Sequence, residues 1–214
     1  MATIKNIVFD FGGILLELDQ PATFRAFSEL LDEEIAKENV LDKMGDFFLD
    51  FERGKITNET FIWKIQRLRG GNLEPLEIIK AYNAMLIDIR MELLPFLEVV
   101  KKKYRSLILS NTNAFHIQYV MHNILEKRHG VRNWSDYFHH IYYSHEMGHR
   151  KPDAEVYRAL IEAEKIDPRE TLFIDDTMVN VTAAMEYGWH AVYHDPRLRI
   201  EDKLQDYIDA CETL

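Results

Sequence analysis

The chain has 214 residues, 47% of them hydrophobic and 29% charged, and carries 26 Lys and Arg against 36 Asp and Glu for a formal net charge of −10. That balance suits a globular protein with a sizeable core and excludes the basic surplus that nucleic-acid or anionic-membrane binding needs, although a metal or a few placed cations can still admit an anionic substrate. Cys211 is the only cysteine, so an intrachain disulfide and a thiolate metal cluster are excluded.

The first strand-like run is Ile4-Lys5-Asn6-Ile7-Val8-Phe9, closed by Asp10 and followed at once by Phe11-Gly12-Gly13. No signal-peptide pattern precedes it, and no apolar stretch approaches the roughly 18 residues of a membrane helix. A cytoplasmic protein with no membrane partner is the expectation. Four helical stretches are predicted next, near 21–31, 33–50, 58–69 and 75–89, with breaks at Arg53-Gly54 and Gly70-Gly71. This interval is too long for a single crossover, which needs about a dozen residues. Residues 16–95 therefore read as an inserted helical cap, and 1–15 with 96–214 as the core. Lys101-Lys102-Lys103 closes the next helix, where cations are favourable.

Further strands are predicted at 106–109, 140–143, 171–174 and 190–193, with helix-period segments at 154–164 and 179–187 between them. Short apolar runs bounded by polar residues suit strands buried on both faces. Their alternation with helices predicts an α/β fold built on a doubly wound parallel sheet with right-handed crossovers. In such sheets the active site lies outside the carboxyl ends of the strands. Polar residues stand at those ends here: Asp10, Ser110-Asn111, Ser144 and Asp175-Asp176.

A lone carboxylate closing a buried strand is costly, and Asp10 reads as a nucleophile, a metal ligand or a structural cap. With Asp175 and Asp176 it makes three acids at one edge, which repel unless a hard cation sits among them. Few oxygen ligands point to Mg²⁺, which keeps waters and bridges to a substrate phosphate. Adjacent acids face opposite sides of an extended chain, so one of Asp175 and Asp176 ligates while the other supports it. Ser110 and the turn amides after it can hold phosphate oxygens, although Ser-Asn-Thr-Asn alone is usually a turn or a helix cap. Lys151, within Arg150-Lys151-Pro152-Asp153, can reach back to neutralise a carboxylate and a phosphoryl group.

These four segments, in this order, resemble the haloacid dehalogenase superfamily of phosphohydrolases across the whole chain outside the helical insertion. The resemblance implies that Asp10 is the nucleophile and that Ser110, with Asn111 beside it, binds phosphate. It implies that Lys151 stabilises the phosphorylated aspartate, and that Mg²⁺ is held by Asp10, Asp176 and the backbone carbonyl of Gly12, with Asp175 behind them. The substrate implied is a small phosphorylated metabolite, selected by the cap. Most phosphatases of the family place a second aspartate, the general acid and base, two residues after the nucleophile. This chain has Gly12 there. Such a catalyst is worth about 10²–10⁴-fold, so either the leaving group needs little help, or another residue supplies the proton, or catalysis is lost and a binding module remains. Asp10-Phe11-Gly12-Gly13-Ile14 and Gly148-His149-Arg150-Lys151-Pro152 further resemble a branch with glucose-1-phosphate phosphatases, which favours an activated leaving group such as a sugar 1-phosphate.

Two other chemistries share features of this sequence. Haloacid dehalogenases share the fold and nucleophile without a metal, but usually carry an aromatic residue where Gly12 stands and need no paired acids. His145-Glu146-Met147-Gly148-His149 matches the HExxH pattern of zinc proteases. Gly148 weakens the helix that motif requires, and Pro152 follows almost at once. In the cap, Phe47, Phe48 and Phe51 read as a small helical core, while Glu52 and Arg53 are the first candidates for sugar recognition.

Overall fold

The computed structural model describes residues 3–32 and 46–213. Five parallel strands form the central sheet: β1 (Asn6–Phe9), β4 (Arg105–Ser110), β5 (His140–Tyr143), β6 (Thr171–Asp175) and β7 (His190–Tyr193), in the order β5-β4-β1-β6-β7. All five predicted strands are present within a residue or two of their expected ends. β1 is central, and its Phe9 aligns with Ile108 of β4 and Ile174 of β6. The carboxyl ends of the three innermost strands therefore stand side by side, and the Asp10 amide donates to the Ile174 carbonyl at 2.8 Å.

Side-chain alternation along these strands divides the core into two layers. Ile7, Phe9, Ile108, Leu172 and Ile174 pack on one face with the helices α5 (Leu93–Lys103) and α10 (Ile200–Glu212). Val8, Leu107, Leu109 and Phe173 pack on the other with α8 (Ala154–Glu164) and α9 (Met178–Glu186). Fully buried strands of this kind need apolar residues at every position, which is why the sequence shows continuous runs rather than alternation. Two short segments complete this part. The helix α6 (Ala114–Tyr119) widens into a π-helical stretch over Val120–Glu126 and closes at Lys127–His129; α7 (Ser144–Met147) follows β5.

Between β1 and α5 lie α1 (Gln20–Leu31), α2 (Phe47–Glu52), α3 (Asn58–Leu68) and α4 (Pro75–Asn83). The expected helix at 33–50 lies outside the described residues up to 45; its described remainder is α2. Phe47, Phe48 and Phe51 fill an aromatic cluster with Phe27, Phe61 and Tyr82, as read from the sequence. Phe51 stacks on Phe61 at 4.4 Å between ring centroids, and Phe61 stacks on Tyr82 at 5.1 Å. Phe115, from α6, adds to the same cluster.

One element departs from expectation. The helix foreseen over 75–89 ends at Asn83, and the chain continues as a strand, β3 (Leu86–Asp88), pairing antiparallel with β2 (Glu17–Leu18). Thr23 of α1 explains the break: its hydroxyl donates to the Tyr82 carbonyl at 2.8 Å and accepts from the Met85 amide at 3.2 Å. A side chain from another helix thus serves the groups that the next helical turn would have used. The β2–β3 pair forms where the chain leaves and rejoins the sheet-bearing part.

Candidate active site

The turn after β1 brings Asp10 to the base of a cavity of about 410 Å³, shared by the strand ends and by α1, α2 and α4. Its lining includes Asp10, Gly12, Ser110, Asn111, Lys151 and Asp176, six of the seven residues singled out from the sequence. The seventh, Asp175, is buried behind them.

Lys151 is the centre of the arrangement. Its side chain is 1% exposed, and Nζ donates at 2.7 Å to Asp10 Oδ1 and at 2.7 Å to Asp175 Oδ2. Burial works against its charge, but Asp10 and Asp175 more than offset this, and its pKa stands above the ordinary lysine value. Asn111 places it: Asn111 Oδ1 accepts from the Lys151 amide and Nδ2 donates to the Lys151 carbonyl, both at 2.8 Å. The Asn111 carboxamide is therefore engaged with the Lys151 backbone and fixes the position from which the ammonium reaches Asp10 and Asp175.

The three acids are arranged unequally. Asp10, Asp175 and Asp176 each bring a carboxylate oxygen within 4.8 Å of the others. Burial, with Asp175 and Asp176 adding to it against the pull of Lys151, pushes the Asp10 pKa up to about 7. Burial and then Asp175 raise that of Asp176 as well. Asp175 is saturated with donors: Lys151 Nζ, the Thr177 amide at 2.7 Å, and Asn180 Nδ2 at 3.1 Å to each oxygen. Asp176 accepts from one side chain among the described residues, Thr177 Oγ1 at 3.2 Å. Three carboxylates face one ammonium in a buried site, and burial first, with the neighbouring acids adding to it, holds Asp10 and Asp176 above the ordinary carboxylate range. The donor set fits a hard divalent cation, with Asp10 and Asp176 as the carboxylates left open to it and Asp175 as their support.

The glycines are equally specific. Gly13 has φ +78°, and a Cβ built on it falls 2.2 Å from Asp176 Oδ2, so only glycine lets that carboxylate sit where it does. The Gly13 amide bonds to the Leu16 carbonyl and the Phe11 carbonyl accepts from Leu15 and Leu16; neither arrangement uses the carbonyl of Gly12. A Cβ on Gly12 meets Leu18 Cδ1 at 2.7 Å. A side chain at position 12 would start against Leu18 of β2, whose tip would have to turn aside.

Ser110, at the end of β4, is buried, and its hydroxyl makes no hydrogen bond to the described residues. Ser144 has a different task from the other strand-end polars. Its Oγ accepts from the Thr112 amide at 2.9 Å and donates to the Thr112 carbonyl at 3.0 Å, bracing the turn after Ser110. The HExxH match fails on geometry, because α7 ends at a left-handed Gly148 and His149 lies beyond it. The two histidines share no helix face.

Sequence reasoning missed the support of Asp175 by Thr177 and Asn180. Asn180 is five positions away, and only the start of α9 directly after an acidic strand end hinted at it. In the cap, Arg53 corrects an expectation. It makes a two-pronged ion pair with Asp153, Nη2 to Oδ2 at 2.9 Å and Nε to Oδ2 at 3.1 Å, and does not line the cavity. Glu52 does line it, with Arg150 as partner: Arg150 Nε donates to Glu52 Oε2 at 2.9 Å.

A parallel α/β sheet with acids gathered around a buried lysine at its carboxyl edge defines a hydrolase of the phosphoryl- or halide-displacing kind. The chain belongs to the haloacid dehalogenase-like hydrolases, whose family model matches residues 4–188. It is 30% identical over 187 residues to a D-ribitol-5-phosphate phosphatase of Bacteroides thetaiotaomicron, spanning 87% of this chain and 89% of that one. Among solved structures, a haloacid dehalogenase family enzyme of the same organism, in complex with magnesium and inorganic phosphate, is 34% identical with a TM-score of 0.78, over 89% of this chain and 93% of that one. A haloacid dehalogenase-like hydrolase of Porphyromonas gingivalis is 29% identical with a TM-score of 0.84, over 96% and 98%.

Proposed function

We propose that this protein is a Mg²⁺-dependent phosphomonoesterase that cleaves a small sugar or polyol phosphate through an aspartyl-phosphate on Asp10. The observation that carries the reading is the Lys151 ammonium held 2.7 Å from both Asp10 and Asp175, within a cluster of three acids at the base of a cavity. Asp10, Asp176 and the Gly12 carbonyl would hold the metal. When bound, Mg²⁺ supplies positive charge that lets a carboxylate approach a phosphate.

The remaining steps belong to the chain. Asp10 Oδ attacks phosphorus, the bond to the alcohol oxygen breaks with that oxygen taking a proton from water in place of an acid at position 12, and the resulting hydroxide or a further water cleaves the acyl phosphate to return the carboxylate and release inorganic phosphate. Lys151 neutralises charge on Asp10 and on the transferring group. The Ser110 hydroxyl and the turn amides beyond it hold phosphoryl oxygens. The elements between 16 and 95 close the cavity as a cap and set which alcohol enters. The surplus of acids counts against a metal-free dehalogenase, which has no use for Asp176 beside Asp175.

The two lines on the substrate differ. Gly12 favours an activated leaving group such as glucose 1-phosphate, whereas the phosphatase that is 30% identical is named for a polyol 5-phosphate. Both are phosphates of polyhydroxylated alcohols, and that is the class proposed. The test is phosphate release from ribitol 5-phosphate, glucose 1-phosphate, glucose 6-phosphate and acetyl phosphate with Mg²⁺. At least one polyhydroxylated substrate should turn over, EDTA should abolish it, and Asp10→Asn should remove at least 10³-fold, on the order expected for loss of a nucleophile. Native protein inactive on all four would overturn the reading.

A further inference from the structure

Glu52 and Arg53 are consecutive, and both form ion pairs from the end of α2 to the segment around Lys151, but the two pairs are differently finished. Arg53 is matched to Asp153 through Nε and Nη2, with contacts to both carboxylate oxygens. That pair stands outside the cavity and joins cap to core. The Glu52–Arg150 pair lines the cavity and is joined by a single bond, Nε to Oε2. Glu52 Oε1 and both terminal nitrogens of Arg150 make no hydrogen bond to the described residues.

The pair is largely withdrawn from water, the two side chains being 24% and 22% exposed. Burial raises the Glu52 pKa, and Arg150 only partly counters it. The atoms of the pair that lack a partner are not sealed off, so they remain able to meet a ligand that enters the cavity. The cavity they line also carries Phe24, Phe27, Phe48 and Leu49, together with Tyr82, whose hydroxyl feels the charge of both Glu52 and Arg150. Arg150 is also the residue before Lys151, so whatever meets the pair is tied to a position relative to the phosphoryl group.

We propose that Glu52 and Arg150 form a specificity pair that reads two neighbouring hydroxyls on the alcohol portion of the substrate. One hydroxyl donates to Glu52 Oε1, and the next accepts from an Arg150 terminal nitrogen. The substrate class is then a polyhydroxylated alcohol phosphate, and alkyl and acyl phosphates are disfavoured because they leave both groups unmet. The inference rests on the phosphatase reading and adds the recognition element to it.

The experiment compares kcat/KM for ribitol 5-phosphate, pentyl phosphate and acetyl phosphate in native protein and in Glu52→Gln, Arg150→Lys and Arg53→Gln. Native protein should prefer ribitol 5-phosphate to pentyl phosphate. Glu52→Gln and Arg150→Lys should each shrink that preference about 10–100-fold, the worth of a hydrogen bond to a charged group, with most of the change in KM. Arg53→Gln, which breaks the neighbouring pair, should leave the preference as it is, even if the melting temperature falls. If Glu52→Gln and Arg150→Lys depress all three substrates equally, the pair only docks the cap and the proposal is overturned. If native protein cleaves none of these three and neither glucose 1-phosphate nor glucose 6-phosphate, the phosphatase reading fails and takes this one with it; cleavage with no preference for a polyhydroxylated phosphate over pentyl and acetyl phosphate overturns the specificity pair alone.

Discussion

At the residue scale the chemistry depends on close approaches to Asp10 and Asp176 that specific neighbours permit or forbid. Gly13 is the clearest case, because a methyl group there would stand 2.2 Å from Asp176 Oδ2 on a backbone with φ +78°. Gly13→Ala should weaken Mg²⁺ binding at least about 10-fold, since displacing a ligand or its support typically costs 10–100-fold; isothermal titration of the purified variant with Mg²⁺ reads this directly. Gly12 is a subtler case. From the sequence it reads as an absent acid, yet Leu18 Cδ1 lies 2.7 Å from where its Cβ would be. Adding the carboxylate alone overpacks that contact. Gly12→Asp should lower stability by about 1–3 kcal/mol, and Leu18→Ala in the same chain should recover part of the loss; denaturant unfolding of single and double variants measures both. A single variant as stable as the native protein would show that Leu18 yields freely. Why Leu18 escapes notice in the sequence is plain: it sits in β2, whose pairing with β3 is set by residues about seventy positions away.

Element by element, legibility followed the range of the interactions that hold each piece. The core strands could be read because Val8, Leu107, Phe173 and their neighbours are buried on both faces and are therefore apolar in continuous runs. α8 could be read to its ends because local pattern and turn residues coincide. β3 could not: Leu86-Ile87-Asp88 continues the apolar spacing of α4, and what stops the helix is the Thr23 hydroxyl from α1. Asp10, Ser110, Asp175 and Asp176 were visible because each falls at or just past a strand end, whereas Lys151, in the turn beyond α7, stood out only through its Arg150-Lys151-Pro152-Asp153 segment. Glu52–Arg150 and Arg53–Asp153 were not separable, because only the fold decides which partner, about a hundred residues on, each neighbour meets. The aromatic cluster of the cap was foreseen in α2 but not its centre, Phe61, which is fully buried and stacked between Phe51 and Tyr82. Phe61→Ala should cost about 3–5 kcal/mol. Thermal unfolding should show the loss, and a change under about 1 kcal/mol would mean the cluster collapses to fill the space.

For the molecule as a whole, the sheet supplies a fixed edge of charge, and α1, α2 and α4 wall the cavity in front of it. Asp10, Asp175 and Lys151 come from three separate strand ends or loops, 24 and 141 residues apart along the chain, and meet only because β1 lies between β4 and β6. The acid-rich composition, with a net charge of −10, is reconciled with an anionic substrate by that one buried lysine and by the cation that three carboxylates invite. The central claim is that Asp10 takes the phosphoryl group. Acid-quenching native protein during turnover of its best substrate with Mg²⁺, then mapping the modified peptide by mass spectrometry, tests it most directly. One phosphoryl group on Asp10, absent in Asp10→Asn and absent with EDTA, is the predicted result. A native protein that turns over while its phosphoryl group maps to any other residue would contradict the account.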